Sequence, residues 1–201
     1  MFTTSSQYLK LVAILLFATV ATQIIYVAVL KDVGIVEGWP LRSIIWTIET
    51  VTFSLLAVAA LAALAIGERH RLVWAAVAVS GIFNALQAGM GLSMFLAPTQ
   101  AGDAGKLLFD TVLAGAFLFF FLAKVLIGVA SAMLGFALFQ QGSAASKIMG
   151  VLSVIAGIAA VALNTLALPQ GLAMVFPAGA AGTAATVMLA IATWMVGGVK
   201  R

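Results

Sequence analysis

The chain has 201 residues, 64% of them apolar and only 8% charged, with a net charge of +4. Soluble domains carry about 25% charged residues, so this composition cannot build a water-facing surface, and hydrocarbon is the solvent that suits it. The absence of cysteine removes disulfides, iron–sulfur clusters and thiolate metal sites, and a single histidine, His70, removes a multi-histidine metal or bis-histidine haem site within one chain.

A membrane span needs about 20 mainly apolar residues. Lys10, the apolar run after it and the small residues Ala18 and Ala21 have the pattern of a signal peptide. The run continues through Leu30, too long for a signal segment, and predicts a retained first span over residues 8–30. Gly34, Gly38 and Pro40 break the pattern, and a second span is expected over 41–66. The charged turn Gly67-Glu68-Arg69-His70-Arg71 leads to a third over 72–97. Pro98 to Asp103 forms the next break. The fourth apolar stretch, 107–139, is too long for an upright helix and predicts tilt, a kink near Gly115 or projection beyond the bilayer. Gln140-Gln141-Gly142-Ser143 opens the turn to a fifth span over 147–168. Pro169, Gly171 and Pro177 then allow either a kink that carries the helix to Phe176 or a turn, before a sixth span within 177–199. The expected fold is all-α: one polytopic transmembrane domain over residues 1–201, a bundle of about six helices.

Orientation follows from the loops. Lys10, Arg69, Arg71, Lys147, Lys200 and Arg201 fall on one side; Lys31, Arg42 and Lys106, offset by Asp32, Glu37 and Asp103, fall on the other. The positive-inside rule places the first set, and with it both termini, in the cytoplasm. These thinly spread charges read as topology-setting and leave no footprint for nucleic acid. Tyr8, Trp39, Trp74 and Trp194 fall near span ends, where amphipathic rings settle at the interface.

The C-terminal two-fifths carries a recognisable order. A helix from Lys124 meets the polar turn at Gln140, then Lys147-Ile148-Met149-Gly150-Val151-Leu152, Asn164-Thr165, Pro169, Pro177, Gly182, Trp194, Gly198 and Lys200. This resembles a bacterial multi-helix inner-membrane family of unknown function. The resemblance implies the helical fold and the inner-membrane location and supplies no activity. An acidic residue expected near Thr183 in that family is absent here.

Ionisable groups within spans cost about 2.5–3.5 kcal/mol at a helix centre on insertion scales, so each one asks for a partner or a role. Lys124 is the deepest. Gly128, Ser131 and Gly135 share its helical face, and small residues mark close helix contacts, which turns Lys124 toward the bundle. It reads as an anchor for an anion, carboxylate or carbonyl, as half of a buried ion pair, or as a snorkelling side chain. Glu49 is the expected partner, because the two depths agree within about 3 Å at ~1.5 Å per residue. Asp110, near a helix start, reads as a cap or a solvated group.

The third span carries a polar stripe of Ser80, Asn84, Gln87 and Gly91, beside a small-residue ridge of Gly81, Ala85, Gly89 and Ser93. The ridge reads as a packing seam, and the stripe as interhelical hydrogen bonding or the lining of a polar cavity. Gln23 and Tyr26 contribute from the first span. Met90, Met94 and Met174 read as core or as the lining of an adaptable apolar pocket. His70 sits in a charged turn, and no hydrolase, metalloprotease or phosphate-cradling motif occurs.

Two functions remain. One is a non-enzymatic module without cofactor or metal, binding a small apolar ligand, a lipid or another membrane protein as an accessory subunit. The other is a small transporter or channel with a path past Lys124, Glu49, Asn84 and Gln87.

Overall fold

A computed structural model describes residues 5–67 and 69–198. Glu68, Val199, Lys200 and Arg201, all used in the topology reading, lie outside the described residues. The described chain is helical. Six helices of 24 residues or more are α1 (Ser5–Leu30), α2 (Trp39–Ala65), α3 (Arg71–Met94), α5 (Lys106–Phe139), α6 (Ala144–Gln170) and α7 (Val175–Gly198); α4 (Leu96–Gln100) is a single short turn. Five helical stretches are long and apolar enough to cross a membrane, the last of them, Ala144–Gly198, comprising both α6 and α7.

The breaks have local causes. His70 takes a left-handed conformation, φ 61°, and its carbonyl accepts from Val73 N at 2.8 Å, which reverses the chain into α3. The prolines around 169–177 sit where helices tolerate them. Pro169 lies in the last turn of α6, and Pro177 lies in the first turn of α7, where backbone donors have no intrahelical partner anyway. The reversal belongs to Gly171, whose φ of 60° suits glycine, followed by a 3-10 turn over Gly171–Met174. Asn164 Nδ2 then donates back across that turn to Ala178 O at 3.0 Å, so the open question of kink or turn resolves as a turn. The third long helix ends at Met94, short of the expected Ala97, and Pro98 falls in α4.

Neighbouring helices pack antiparallel. α1 meets α2, α2 meets α3, α3 meets α5, α5 meets α6 and α6 meets α7. α7 also packs on α1 and, running parallel to it, on α5. Helices α1, α2, α3, α5 and α7 therefore close a ring, with α6 laid outside against α5 and α7. Ser6 Oγ donates to Gly197 O, so both described ends lie on one face. That terminal face also carries Lys10, Arg69, Arg71 and Lys147.

Without a hydrophobic force between helices in lipid, close approach and hydrogen bonds must hold the ring. The α5–α6 seam supplies both. A Cβ on Gly128 would meet Gly157 O at 2.7 Å, and one on Gly135 would meet Gly150 O at 2.8 Å. Between them Ser131 Oγ donates to Ser153 O at 3.0 Å. On α3 the ridge splits. Gly81 packs into α2, 2.9 Å from Phe53 O by the same measure, and Ala85 lies against the core, but Gly89 has nothing within 4 Å and Ser93 is exposed.

The interior is layered. Toward the terminal face it is an aliphatic plug, including Leu9, Val12, Leu16, Leu56, Val77, Leu134 and Leu189. Toward the opposite face an aromatic cluster of Trp46 and Phe95, with Tyr26, Trp39 and Phe109 against it, closes the end. Trp74 was expected at the interface; it is instead fully buried in the plug, its Nε1 donating to Arg69 O at 2.7 Å. The carbonyl of this turn is thus satisfied by an indole that the core then covers.

Gly157→Val is expected to lower the melting temperature in detergent, because its Cβ would lie 2.5 Å from Gly128 O. The overpacking corresponds to about 1–3 kcal/mol. Ile155→Leu, on the exposed face of the same helix, should leave melting unchanged. Equal melting of both variants would show that this seam does not hold the bundle.

Candidate functional site

Between plug and aromatic cap lies a polar layer built from five helices. Lys124 reaches it from the middle of α5, with 1% of its surface exposed. Its side chain runs through space left by α7: a Cβ on Gly182 would lie 2.6 Å from Lys124 Cδ. The ammonium crosses the ring and donates to Gln23 Oε1 on α1 at 2.9 Å, with the Phe120 ring 5.4 Å below. Thr183 Oγ1 donates to the same Gln23 oxygen at 3.3 Å.

Glu49, 5% exposed, enters from α2. Its Oε1 accepts from Thr22 Oγ1 at 3.0 Å. The expected Glu49–Lys124 ion pair is not formed. The ion pairs within 4 Å among the described residues are Lys31–Asp32 and Lys106–Asp110, both exposed. Matched depth was a sound premise, but it fixes only height along the bundle. Which neighbour a side chain meets depends on helix rotation and ring order, and both charges end on adjacent residues of α1.

From α3, Ser80 Oγ donates to Ala123 O at 2.9 Å, beside Lys124. Asn84 Nδ2 donates to Ser80 O at 3.0 Å, and the buried Asn84 Oδ1 finds no partner among the described residues. Gln87 lies half-buried at the margin and joins none of these bonds; Gly91 faces Trp46, whose ring a Cβ there would meet at 3.2 Å. Gly128, Ser131 and Gly135 do not line the layer, since they face α6. Asp110 is exposed and pairs with Lys106 at 2.7 Å.

One residue of this interior escaped the sequence reading. Arg42 was counted as a loop charge, yet it sits inside α2 with 3% exposure. It donates through Nη1 to Tyr26 OH and through Nη2 to Leu30 O at 2.8 Å and to Val33 O, while its guanidinium stacks 5.2 Å over the Tyr26 ring. A cation here meets the negative end of the α1 dipole and its orphan carbonyls. The legible signal was spacing: Arg42, Trp46 and Glu49 recur at i, i+4 and i+7 on one helical face. Thr22 and Thr183 were also missed, and an isolated threonine in a span carries no pattern that would reveal it.

Among the described residues no three His, Cys, Asp or Glu side chains converge as a metal site. What the layer offers is a fixed ammonium, a carboxylate that is not its contact partner, and two amide side chains. Comparison of the chain with protein families, curated proteins and solved structures yields no match.

Arg42→Met should lower stability by about 2–4 kcal/mol, because Tyr26 OH and two carbonyls lose a charged donor. Tyr26→Phe should cost less than half as much. Thermal melting followed by size-exclusion recovery in one detergent measures both, and an unshifted Arg42→Met would show the contacts to be energetically idle.

Proposed function

We propose that the protein is a non-enzymatic, multi-pass protein of the bacterial inner membrane whose interior binds a small, mainly apolar ligand through a polar group held by Lys124. The observation that carries this reading is the state of the ammonium. Lys124 is fully buried at mid-bundle and has three donors, and among the described residues it meets one protein acceptor and touches no counter-ion. Buried charges in membranes mark sites by default, because their cost must be offset by a partner. The aromatic and aliphatic layers on either side suit the apolar body of such a ligand.

The alternative, a small transporter or channel past Lys124, Glu49, Asn84 and Gln87, requires a hydrated route to the terminal face. Leu9, Val12, Leu16 and Leu134 fill that half of the ring. The resemblance to an inner-membrane family of unknown function fits this location. Six spans with both termini in the cytoplasm are the topology that the helical hairpin of α6 and α7 and the basic terminal face support.

Native mass spectrometry of detergent-purified protein should reveal a non-covalent small molecule that wild type retains and Lys124→Met loses. Spectra free of any such mass, or an identical mass in both proteins, would refute the reading. The chain contains no cysteine, so single-cysteine labelling tests topology cleanly. Gln141→Cys should react from the cytoplasm, and Gly102→Cys from outside. The reverse pattern would invert the assignment.

A further inference from the structure

The buried charges do not balance. Arg42 and Lys124 are cations and Glu49 is the one anion among the buried residues, with 3%, 1% and 5% of their surfaces exposed. An uncompensated charge in low dielectric is costly unless something pairs with it. Arg42 is engaged by a tyrosine hydroxyl and two carbonyls. Glu49 is held by Thr22. The interior thus carries one cation more than it has anions, and Lys124 meets a single acceptor among the described residues, a neutral amide.

The way to Lys124 lies between the first and last helices. Toward the terminal face α1 and α7 approach closely, and a Cβ on Gly197 would lie 3.1 Å from Leu9 Cβ. At the polar layer the contact between them is Gln23 to Thr183, and both residues are partly exposed. One turn further from the terminal face, a Cβ on Gly179 would meet only the Phe120 ring, at 3.6 Å. On the α1 side of the seam Ile24 is 56% exposed and Val27 47% exposed. The residues that flank the seam at this level are apolar and exposed on the outer face of the bundle.

Resting on the ligand-binding reading above, we infer that the seam between α1 and α7 is a lateral portal through which a membrane-dissolved carboxylic acid, a long-chain fatty acid, enters and places its carboxylate on Lys124 beside Gln23 and Thr183. One carboxylate cancels the surplus charge and supplies the acceptor that the ammonium lacks. The acyl chain remains against Phe120 and the lipid-facing seam.

The test uses the full chain in detergent micelles, with the fluorescent polyene fatty acid cis-parinaric acid and its methyl ester as probes. Wild type should bind the acid at one per chain and the ester weakly or not at all. Lys124→Met should weaken acid binding about tenfold or more, the equivalent of one charge-assisted bond. Gln23→Glu places a carboxylate where the ligand's would sit, so it should raise the melting temperature and abolish acid binding. This variant guards against a Lys124→Met that loses binding by misfolding. Thr183→Phe should slow association and leave Lys124 in place. Equal binding of acid and ester, or undiminished acid binding by Gln23→Glu, overturns the assignment of a carboxylate. An unchanged association rate in Thr183→Phe overturns the portal. If either fails while native spectra still show a mass lost in Lys124→Met, the broader ligand-binding reading stands and only the ligand class or route is wrong.

Discussion

The methylene chain of Lys124 occupies the space that any side chain at position 182 would need. This exclusion sets the middle of the bundle. With glycine on α7, helices α5 and α7 run side by side and the ammonium passes between them into the ring. With a larger residue, either the helices part or the lysine turns toward lipid. The same device operates on the other side of α5, where Gly128 and Gly135 meet Gly157 and Gly150 on α6. In lipid, where apolar surface gains little from contact with apolar surface, such backbone proximity is the main source of specificity.

Two unequal barriers isolate the layer this creates. The aliphatic plug fills the half of the ring next to the terminal face, where all five ring helices contribute small or branched side chains. The aromatic cap at the other end is pinned by Arg42, which binds the last carbonyl of α1, the Val33 carbonyl of the loop after it and the Tyr26 hydroxyl at once. Tyr26 in turn stacks on Trp46 at 5.9 Å, and Phe95 meets the same ring edge-on at 5.5 Å. A buried cation is therefore used twice for different ends. Arg42 directs both terminal nitrogens at protein oxygens, with its Nε left without a partner among the described residues, while Lys124 meets a single neutral acceptor. That difference, more than burial, separates a structural charge from a candidate binding group.

Helix α1 is the common surface of this interior. Tyr26 takes Arg42, Thr22 takes Glu49 and Gln23 takes Lys124, within little more than one turn. Its partner across the seam is α7, through Gln23 and Thr183 at the polar layer and Ser6 and Gly197 at the terminal face.

The sequence by itself determined the helical class, nearly every helix and an apolar length in each that suffices to cross a membrane. Twenty or more apolar residues without charge have one stable state in hydrocarbon, since every backbone donor and acceptor must be satisfied within the segment. It also singled out Lys124, Glu49, Asn84 and Gln23 as costly groups in spans. Only the tertiary structure decided who met whom. Glu49 and Lys124 share a depth and still do not pair, because side-chain contact requires the rotation of each helix and its place in the ring as well as its height. Arg42 looked like a loop charge and Trp74 like an interface ring, because both lie near helix ends, and the partners that draw them inward, Leu30 O, Val33 O and Arg69 O, are backbone carbonyls that carry no mark in a sequence.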